Sequence, residues 1–257
     1  MWNILKSQWY QFRKSRAIKW ILFFVVFFLV IKYQGLVTAD IANGGLFAIE
    51  EGDMFCLTMM VLTLVIFGIV CAGDFTDKTI NYEIMAGHKR KNIFAARMLL
   101  SLFIVSVLYI FMTFMCLVPV SVFLGWGQNA DFYEVCLRYL LIYFIIIKLG
   151  METALLAMIM RNAMATFFVG FMLLMGISVV TMLSKSDFAT CFSSVYCVMD
   201  LGEYGSYQTI EINGEMINKI VTVIDWDKAA RMLSVGAGVA IVCIVLSLIH
   251  FKKSDMR

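Results

Sequence analysis

Six long apolar runs constrain the fold of this chain more than any other feature of its sequence. A helix crosses the hydrocarbon core of a bilayer with about 20 apolar residues, and each run is about that long. We therefore expect an all-α polytopic membrane protein with six transmembrane helices. The predicted helices cover residues 18–37, 54–73, 94–117, 135–160, 163–183 and 230–251.

The composition excludes the other broad classes. Hydrophobic residues make up 62% of the chain and charged residues only 15%, and the mean hydropathy is +0.88. These values exclude a water-soluble enzyme, while one proline and 14% aromatic residues exclude collagen-like and disordered chains. In 257 residues, six spans leave no room for a separate nucleotide-binding or catalytic domain. The energy for any transport must then come from another protein.

The distribution of charge predicts the orientation. Most lysines and arginines precede the first span, lie in segment 74–97 or follow the last span, whereas the first loop, 38–53, has acidic residues and no basic one. Positive charge is retained on the cytoplasmic side of membranes. We therefore expect a multi-pass protein of the cell membrane with both termini in the cytoplasm, including the tail, 252–257.

The first 17 residues form a separate pattern. Trp2, Leu5, Trp9 and Phe12 recur at helical spacing, so they share one face. Tryptophan favours the membrane interface and cations favour anionic lipid. The pattern predicts an amphipathic interfacial helix, and an ordinary basic flank without a helix is the alternative.

The segment between the second and third spans, 74–93, is the most informative. Phe75, Thr79, Tyr82 and Met85 fall on one helical face, and Gly87 is placed to end such a helix. We expect a short amphipathic cytoplasmic helix followed by a basic cluster.

This segment resembles the cytoplasmic loop of the ABC-2 type permeases of ABC transporters, and the chain is most similar to the small bacterial peptide or toxin exporters and lantibiotic-immunity permeases among them. Asp74 occupies the acidic position that ends the second span, Thr79 and Ile80 match the end of a Gly-Thr-Ile triplet, and Gly87 precedes the basic residues. Lys78 replaces the usual glycine. The resemblance covers about 25 residues in motif and the whole chain in architecture.

The resemblance implies that Thr76 to Ala86 is a coupling helix seated in a cleft of a separate ATPase subunit. It also implies a second permease subunit, ATP and Mg on the partner ATPase, and no cofactor bound by this chain. The chain contains no Gly-x-x-x-x-Gly-Lys-Ser/Thr loop of its own. The alternative is that the basic cluster only fixes topology and binds anionic lipid. The implied coupling residues are Asp74, Thr76, Asp77, Lys78, Thr79, Tyr82, Glu83, Met85, Lys89 and Arg90.

Charge inside a span is costly and usually functional. Lys148 and Glu152 are four residues apart in the fourth predicted span, so they lie on one helix face near mid-membrane. Three interpretations are open. They form a structural pair that neutralises itself, or they line a polar translocation path, or they relay protons.

The segment 184–229 is the predicted extracellular excursion. Residues 208–217 alternate around Asn213 and Gly214, a strong hairpin signal, so a small β-hairpin is expected. Cys191 and Cys197 lie in the same excursion, where an oxidising exterior would allow a disulfide between them; spacing alone does not decide whether they are bonded.

The sequence has few residues in patterns that are typical of catalytic or metal-binding sites. The two histidines, His88 and His250, lie at the cytoplasmic edge, and no His-Glu-x-x-His pattern occurs. We therefore expect no catalytic residues, no metal site and no nucleic-acid partner. The preferred function is export of an amphipathic or antimicrobial peptide by the permease subunit of an ATP-driven transporter. The alternatives are a self-sufficient carrier or channel, a permease for antibiotic, lipid or polysaccharide, and a membrane scaffold or sensor.

Overall fold

The structure is a computed structural model that describes most of the chain. It describes residues 2–38, 44–76, 84–87, 89–123, 125–126, 131–184, 187–202, 207–212, 215–220 and 226–253. Among the predicted coupling residues, Asp77, Lys78, Thr79, Tyr82 and Glu83 lie outside these ranges.

The described chain is almost entirely helical. Its helices are α1 (Trp2–Lys14), α2 (Arg16–Thr38), α3 (Gly44–Phe67), a π-helical segment (Gly68–Ala72), α4 (Gly73–Thr76), α5 (Arg90–Phe123), α6 (Phe132–Met160), α7 (Ala163–Ser184), α8 (Asp187–Thr190), α9 (Ser194–Gly202) and α10 (Trp226–Lys253). Two strands, β1 (Tyr207–Ile212) and β2 (Glu215–Ile220), pair antiparallel with Ile212 opposite Glu215.

Five helical segments in the described chain are long and apolar enough to cross a membrane, so the chain is a membrane protein. They are Met54–Ala72, Arg90–Phe123, Phe132–Met160, Ala163–Ser184 and Trp226–Phe251. A sixth candidate exists only if Ile4–Lys14 and Ile18–Gln34 are taken together, and these two meet at a bend of 63°. Six spans therefore remain a prediction. The bend separates the basic amphipathic helix α1 from the apolar helix α2.

One helix begins much earlier than expected. The second span was predicted from residue 54, whereas α3 starts at Gly44. Glu50, Glu51 and Asp53 interrupt the apolar pattern, but carboxylates do not break a helix. The predicted span agrees with the apolar part of this helix, Met54–Ala72, and the helix extends beyond that part towards Gly44.

Local chemistry explains the tight connection between α6 and α7. Arg161 ends α6 in the left-handed region at φ 52°, and its backbone N–H donates to the Ala157 carbonyl. Asn162 then caps α7, since its Oδ1 accepts from the Met164 N–H at 2.9 Å. The two helices are therefore antiparallel neighbours joined by two residues.

Helices α3 and α6 are the most buried of the membrane-crossing segments, and polar side chains join them to α5. The Tyr109 hydroxyl donates to the Tyr139 carbonyl at 2.6 Å, and the Tyr139 hydroxyl donates to the Ala48 carbonyl at 3.1 Å. Ser106 and Tyr143 share a hydrogen bond of 2.7 Å. These bonds fix the rotation of three helices about their axes.

The π-helical segment lies where α3 packs most closely on α6. Phe67, at its start, is fully buried, and a Cβ placed on Gly150 of α6 would approach the Phe67 ring to 2.6 Å. A Cβ placed on Gly68 would lie 3.4 Å from the Ala163 carbonyl oxygen of α7, a less severe approach. The absence of side chains at both glycines lets the helices approach.

We expect Gly150→Ala to lower the free energy of unfolding by about 1–3 kcal/mol, the usual cost of overpacking a core, because the added Cβ would lie 2.6 Å from the ring of the fully buried Phe67. The matched control is Gly176→Ala in α7, where an added Cβ meets no atom within 4 Å. Thermal unfolding of both variants in lipid nanodiscs checks this. Equal melting temperatures for the two variants would contradict the close packing at Gly150.

Candidate functional site

Lys148 occupies the centre of the candidate site. It lies in α6, twelve residues before Met160, which places it about 18 Å along the helix axis from that end. Its residue surface is 3% exposed. A charged group this deep in a membrane-spanning helix needs partners, because hydrocarbon supplies none.

The partners of Lys148 come mainly from a distant part of the chain. The ammonium donates to the Phe192 carbonyl at 2.6 Å and to the Cys191 carbonyl at 3.2 Å. Its distance to Glu152 Oε1 is 3.8 Å, within ion-pair range but beyond a hydrogen bond. The expected Lys148–Glu152 pair is present, but the lysine also has two closer partners, backbone carbonyls in a segment that the sequence analysis placed outside the membrane.

Those carbonyls belong to the re-entrant turn, which we define as residues 191–193 between α8 and α9. The depth of this turn follows from a second contact, since Ser193 Oγ lies 3.1 Å from Ser178 Oγ on α7. Ser178 is fifteen residues from the start of α7, or about 22 Å along that helix. Both helices thus place the turn about 18–22 Å from the α6–α7 connection, a distance shorter than the ~30 Å thickness of a hydrocarbon core.

The polar groups of the re-entrant turn are largely satisfied inside the protein. The Phe192 and Ser193 N–H groups donate to the carbonyls of Ala189 and Thr190 at 3.1 and 3.2 Å. The Tyr196 N–H donates to Ser193 Oγ at 3.2 Å. Non-helical backbone is tolerated at membrane depth only where it is buried in protein or lines a water-filled cavity. The lysine supplies the donors that the remaining carbonyls need.

The predicted cysteine pair lies beside this turn, but it is not a disulfide. Cys191 and Cys197 are both buried and keep their thiols. The Cys197 thiol is directed at carbonyl oxygens, 3.3 Å from that of Thr190 and 3.5 Å from that of Cys191. The physical reason is local: Cys197 begins the second turn of α9, where its thiol caps the preceding carbonyls.

A cavity of about 190 Å³ adjoins the lysine between α6 and α10, and Lys148, Cys197 and Gly236 are among the residues that line it. Gly236 faces the lysine stem, since a Cβ there would make an ordinary van der Waals contact of 3.5 Å with Lys148 Cδ. The Glu152 side chain is 27% exposed, unlike that of Lys148 at 4%. The site therefore combines a buried cation, a more open carboxylate and a cavity large enough for several water molecules.

A second cluster lies at the end of the bundle where α3 stops and α5 begins, which we call the α1 end. The Phe251 ring of α10 lies 6.1 Å from the Phe75 ring of α4 and 6.0 Å from the Phe94 ring of α5. The Arg97 guanidinium lies 5.9 Å from the centre of the Phe75 ring. This anchor cluster of Phe75, Phe94, Arg97 and Phe251 ties α4, α5 and α10 together.

The described coupling residues lie around this cluster. Asp74 and Thr76 belong to α4, Arg90 begins α5, and Lys89 is exposed. Met85 is 83% exposed, so it does not share the packing of Phe75 that a common helix face suggested. At Gly87 the chain reverses with φ +83°, and the Gly87 N–H donates to the Ile84 carbonyl at 2.9 Å.

Sequence analysis missed two features of the site. Arg97 was counted as a flanking charge, yet it is fully buried, and its spacing of three from Phe94 was the available signal. The re-entrant turn had no signal comparable to an apolar run, because α8 and α9 are each too short to span a membrane. Among the described residues, no group of three His, Cys, Asp or Glu side chains is arranged to hold a metal ion.

A family model described as "Protein of unknown function (DUF2705)" matches residues 7–257, nearly the whole chain. No curated protein matches the sequence.

Proposed function

We propose that this chain, which belongs to the DUF2705 family of proteins of unknown function, is the membrane-spanning permease subunit of an ATP-driven ABC exporter. In this proposal a separate ATPase subunit binds ATP and Mg, and two permease subunits pair around a common path. Both termini and the α1 end of the bundle face the cytoplasm of a cell membrane.

The observation that carries the proposal is the anchor cluster at the α1 end. Helix α4 precedes the loop and α5 follows it, and the Phe75 ring of α4 packs on Phe251 of α10 and beneath Arg97 of α5. A displacement of the loop would therefore be transmitted to α4, α5 and α10 together. Such a rigid attachment is what an element driven by a partner ATPase requires.

The sequence supports the same assignment. The loop resembles the coupling segment of ABC-2 permeases through Asp74, Thr79, Ile80 and Gly87, followed by basic residues. The chain has no phosphate-binding loop that would let it use ATP by itself. A partner ATPase accounts for both facts, and the chain is then a transport subunit without enzymatic activity of its own.

We further propose that the cargo is an amphipathic peptide, such as an antimicrobial peptide or toxin. Long stretches of α2, α5 and α7 expose large apolar side chains, among them Phe24, Phe111 and Phe168. A peptide with an apolar face partitions into the bilayer beside such helices. Lateral entry from the membrane then needs no large receptor domain.

A second candidate function is a self-sufficient carrier or channel. It is favoured by the re-entrant turn, because transporters place broken helices and irregular backbone at their substrate sites near mid-membrane. Lys148 and the 190 Å³ cavity would then form the ion or substrate site. This candidate needs no ATPase and predicts transport driven by an ion gradient.

Purification of the full chain from its native membranes in mild detergent separates the two candidates. The permease proposal predicts that a Walker-motif ATPase copurifies in a fixed ratio and that ATP is required for transport in reconstituted vesicles. Transport by the chain alone, driven by an ion gradient and unaffected by ATP, would contradict the permease proposal and support the carrier.

A further inference from the structure

A long apolar groove runs between α2, α3 and α7. Its volume is about 620 Å³, within the range of about 300–1,000 Å³ that is typical of small-molecule sites. Among the described lining residues, Thr58 and the Trp20 indole carry the polar side-chain atoms, and the Thr58 hydroxyl already donates to the Met54 carbonyl at 2.9 Å. The groove can therefore bind hydrocarbon and offers almost nothing to a polar ligand.

The groove has the length of one bilayer leaflet. It is lined along α2 from Trp20 to Ile31, a rise of about 16 Å, which is about half of a ~30 Å hydrocarbon core. Ile69 and Phe167 also line the groove. Ile69 follows the end of α3 and Phe167 is near the start of α7, so both lie towards the α1 end, where Trp20 is. The groove thus begins near the α1 end and extends along α2 for about half the thickness of a hydrocarbon core.

Cations lie at the α1 end of the groove. Arg16 precedes Trp20 by four residues, so it lies on the groove face of α2 one turn closer to the headgroups. Lys19 is adjacent, and Arg13 and Lys14 end the interfacial helix α1. All four side chains are exposed. An apolar slot with a basic mouth at the interface matches the two parts of an anionic phospholipid.

We propose that this groove is a binding site for an anionic phospholipid, with one acyl chain between α2, α3 and α7 and the phosphate against Arg16 and Lys19. The charge distribution disfavours a second copy of the chain as occupant, because a two-fold axis along the membrane normal would bring two basic mouths together. A peptide in extended form is disfavoured as well, since its backbone groups would find few hydrogen-bond partners in the groove.

Tryptophan fluorescence tests the site on the full chain. In a background in which the native tryptophans are replaced by phenylalanine, one tryptophan is placed in the groove by Phe27→Trp, and in a control chain one is placed outside it by Phe103→Trp on α5. The two positions are similarly exposed, at 53% and 58%. Vesicles contain mixtures of phosphatidylcholine and phosphatidylglycerol, one of them brominated on its acyl chains as quencher. The replaced residues are Trp2, Trp9, Trp20, Trp126 and Trp226.

The proposal predicts that the groove tryptophan is quenched preferentially by brominated phosphatidylglycerol, by about fivefold or more over brominated phosphatidylcholine, since each nearby cation is worth about that factor for an anionic lipid. The control tryptophan should show little preference. Arg16→Gln with Lys19→Gln should remove the preference at position 27, whereas Lys91→Gln, at an exposed cation of α5, should leave it unchanged. Equal selectivity at both positions would overturn the proposal, and so would a groove tryptophan that no lipid quenches, which would mean that protein fills the groove.

A second measurement requires no substitution. Native mass spectrometry of the wild-type chain, released from vesicles of equal phosphatidylglycerol and phosphatidylcholine, should retain phosphatidylglycerol in preference to phosphatidylcholine. A chain released without lipid, or with the two lipids in equal amounts, would also overturn the proposal. Both measurements are independent of any ATPase, so they can fail while the permease proposal stands.

Discussion

Lys148→Met is expected to lower the free energy of unfolding by about 3–5 kcal/mol, the usual cost of removing one partner from a buried charge pair. The change removes the donor to the Cys191 and Phe192 carbonyls, and it leaves the Glu152 carboxylate without its cation. Carbonyls without a donor at membrane depth cost several kcal/mol. The re-entrant turn should therefore loosen together with α9.

Glu152→Gln should lower the free energy of unfolding by much less, about 1 kcal/mol. Lys148 keeps both carbonyl partners in this variant, and the 3.8 Å separation from the carboxylate is not a hydrogen bond. The double variant, Lys148→Met with Glu152→Gln, should recover only a small part of the loss, because the Cys191 and Phe192 carbonyls still lose the Lys148 ammonium as donor. Thermal unfolding in nanodiscs measures all three variants.

Lys32→Met is the matched control for this series. Lys32 is also a lysine within an apolar helix, but its ammonium lies 5.3 Å from the centre of the Phe28 ring and the side chain is only half-buried. We expect Lys32→Met to lower the free energy of unfolding by less than about 1 kcal/mol, as for partly exposed cations. A Glu152→Gln variant as unstable as Lys148→Met would show that the carboxylate, and not the turn, is the main partner of the lysine.

Phe75→Ala is expected to uncouple the loop from the membrane helices. The ring of Phe75 contacts Phe251 and Arg97, so its loss would remove the side chain that joins α4 to α10 and α5. Coupling free energies between sites are typically about 1–3 kcal/mol, which corresponds to at least about a fivefold loss of transport per ATP hydrolysed. The stability cost should stay below the ~3–5 kcal/mol of a fully buried phenylalanine, because this ring is only half-buried.

Transport and ATP hydrolysis, measured together on the reconstituted complex, check this expectation. The matched control is Phe114→Ala on α5, a phenylalanine that is 61% exposed and lies outside the anchor cluster. Phe75→Leu should retain most of the coupling, since leucine still fills the position. Normal transport per ATP hydrolysed in Phe75→Ala would show that the anchor cluster does not couple the loop to the membrane helices.

Much of the helical layout could be predicted because it is set by local sequence. The apolar run at 163–183 and helix α7 differ by one residue, since Asn162 caps one end and the run itself defines the rest. The i, i+4 spacing put Lys148 and Glu152 on one face of α6, and their charged atoms lie 3.8 Å apart. Information of this kind is contained within a few turns of helix.

The rest depends on contacts between residues far apart in the sequence. Lys148 meets Phe192 across 44 residues, and no spacing rule anticipates that a short segment after α7 returns into the membrane to meet it. The close approach of Phe67 to Gly150, next to the π-helical segment, likewise joins residues far apart in the sequence. In both cases tertiary packing decided the arrangement of the chain, and the local sequence pattern was compatible with several arrangements.

The most direct test of the permease assignment is whether the loop after α4 binds an ATPase subunit. The full chain, purified from its native membranes, should carry a Walker-motif ATPase in a fixed ratio. Lys78→Ala with Glu83→Ala, within the proposed coupling helix, should abolish this association without lowering the melting temperature of the chain, whereas Lys91→Ala in α5 should preserve it. Absence of any such ATPase from the wild-type preparation, or its equal retention by the loop variant, would contradict the account.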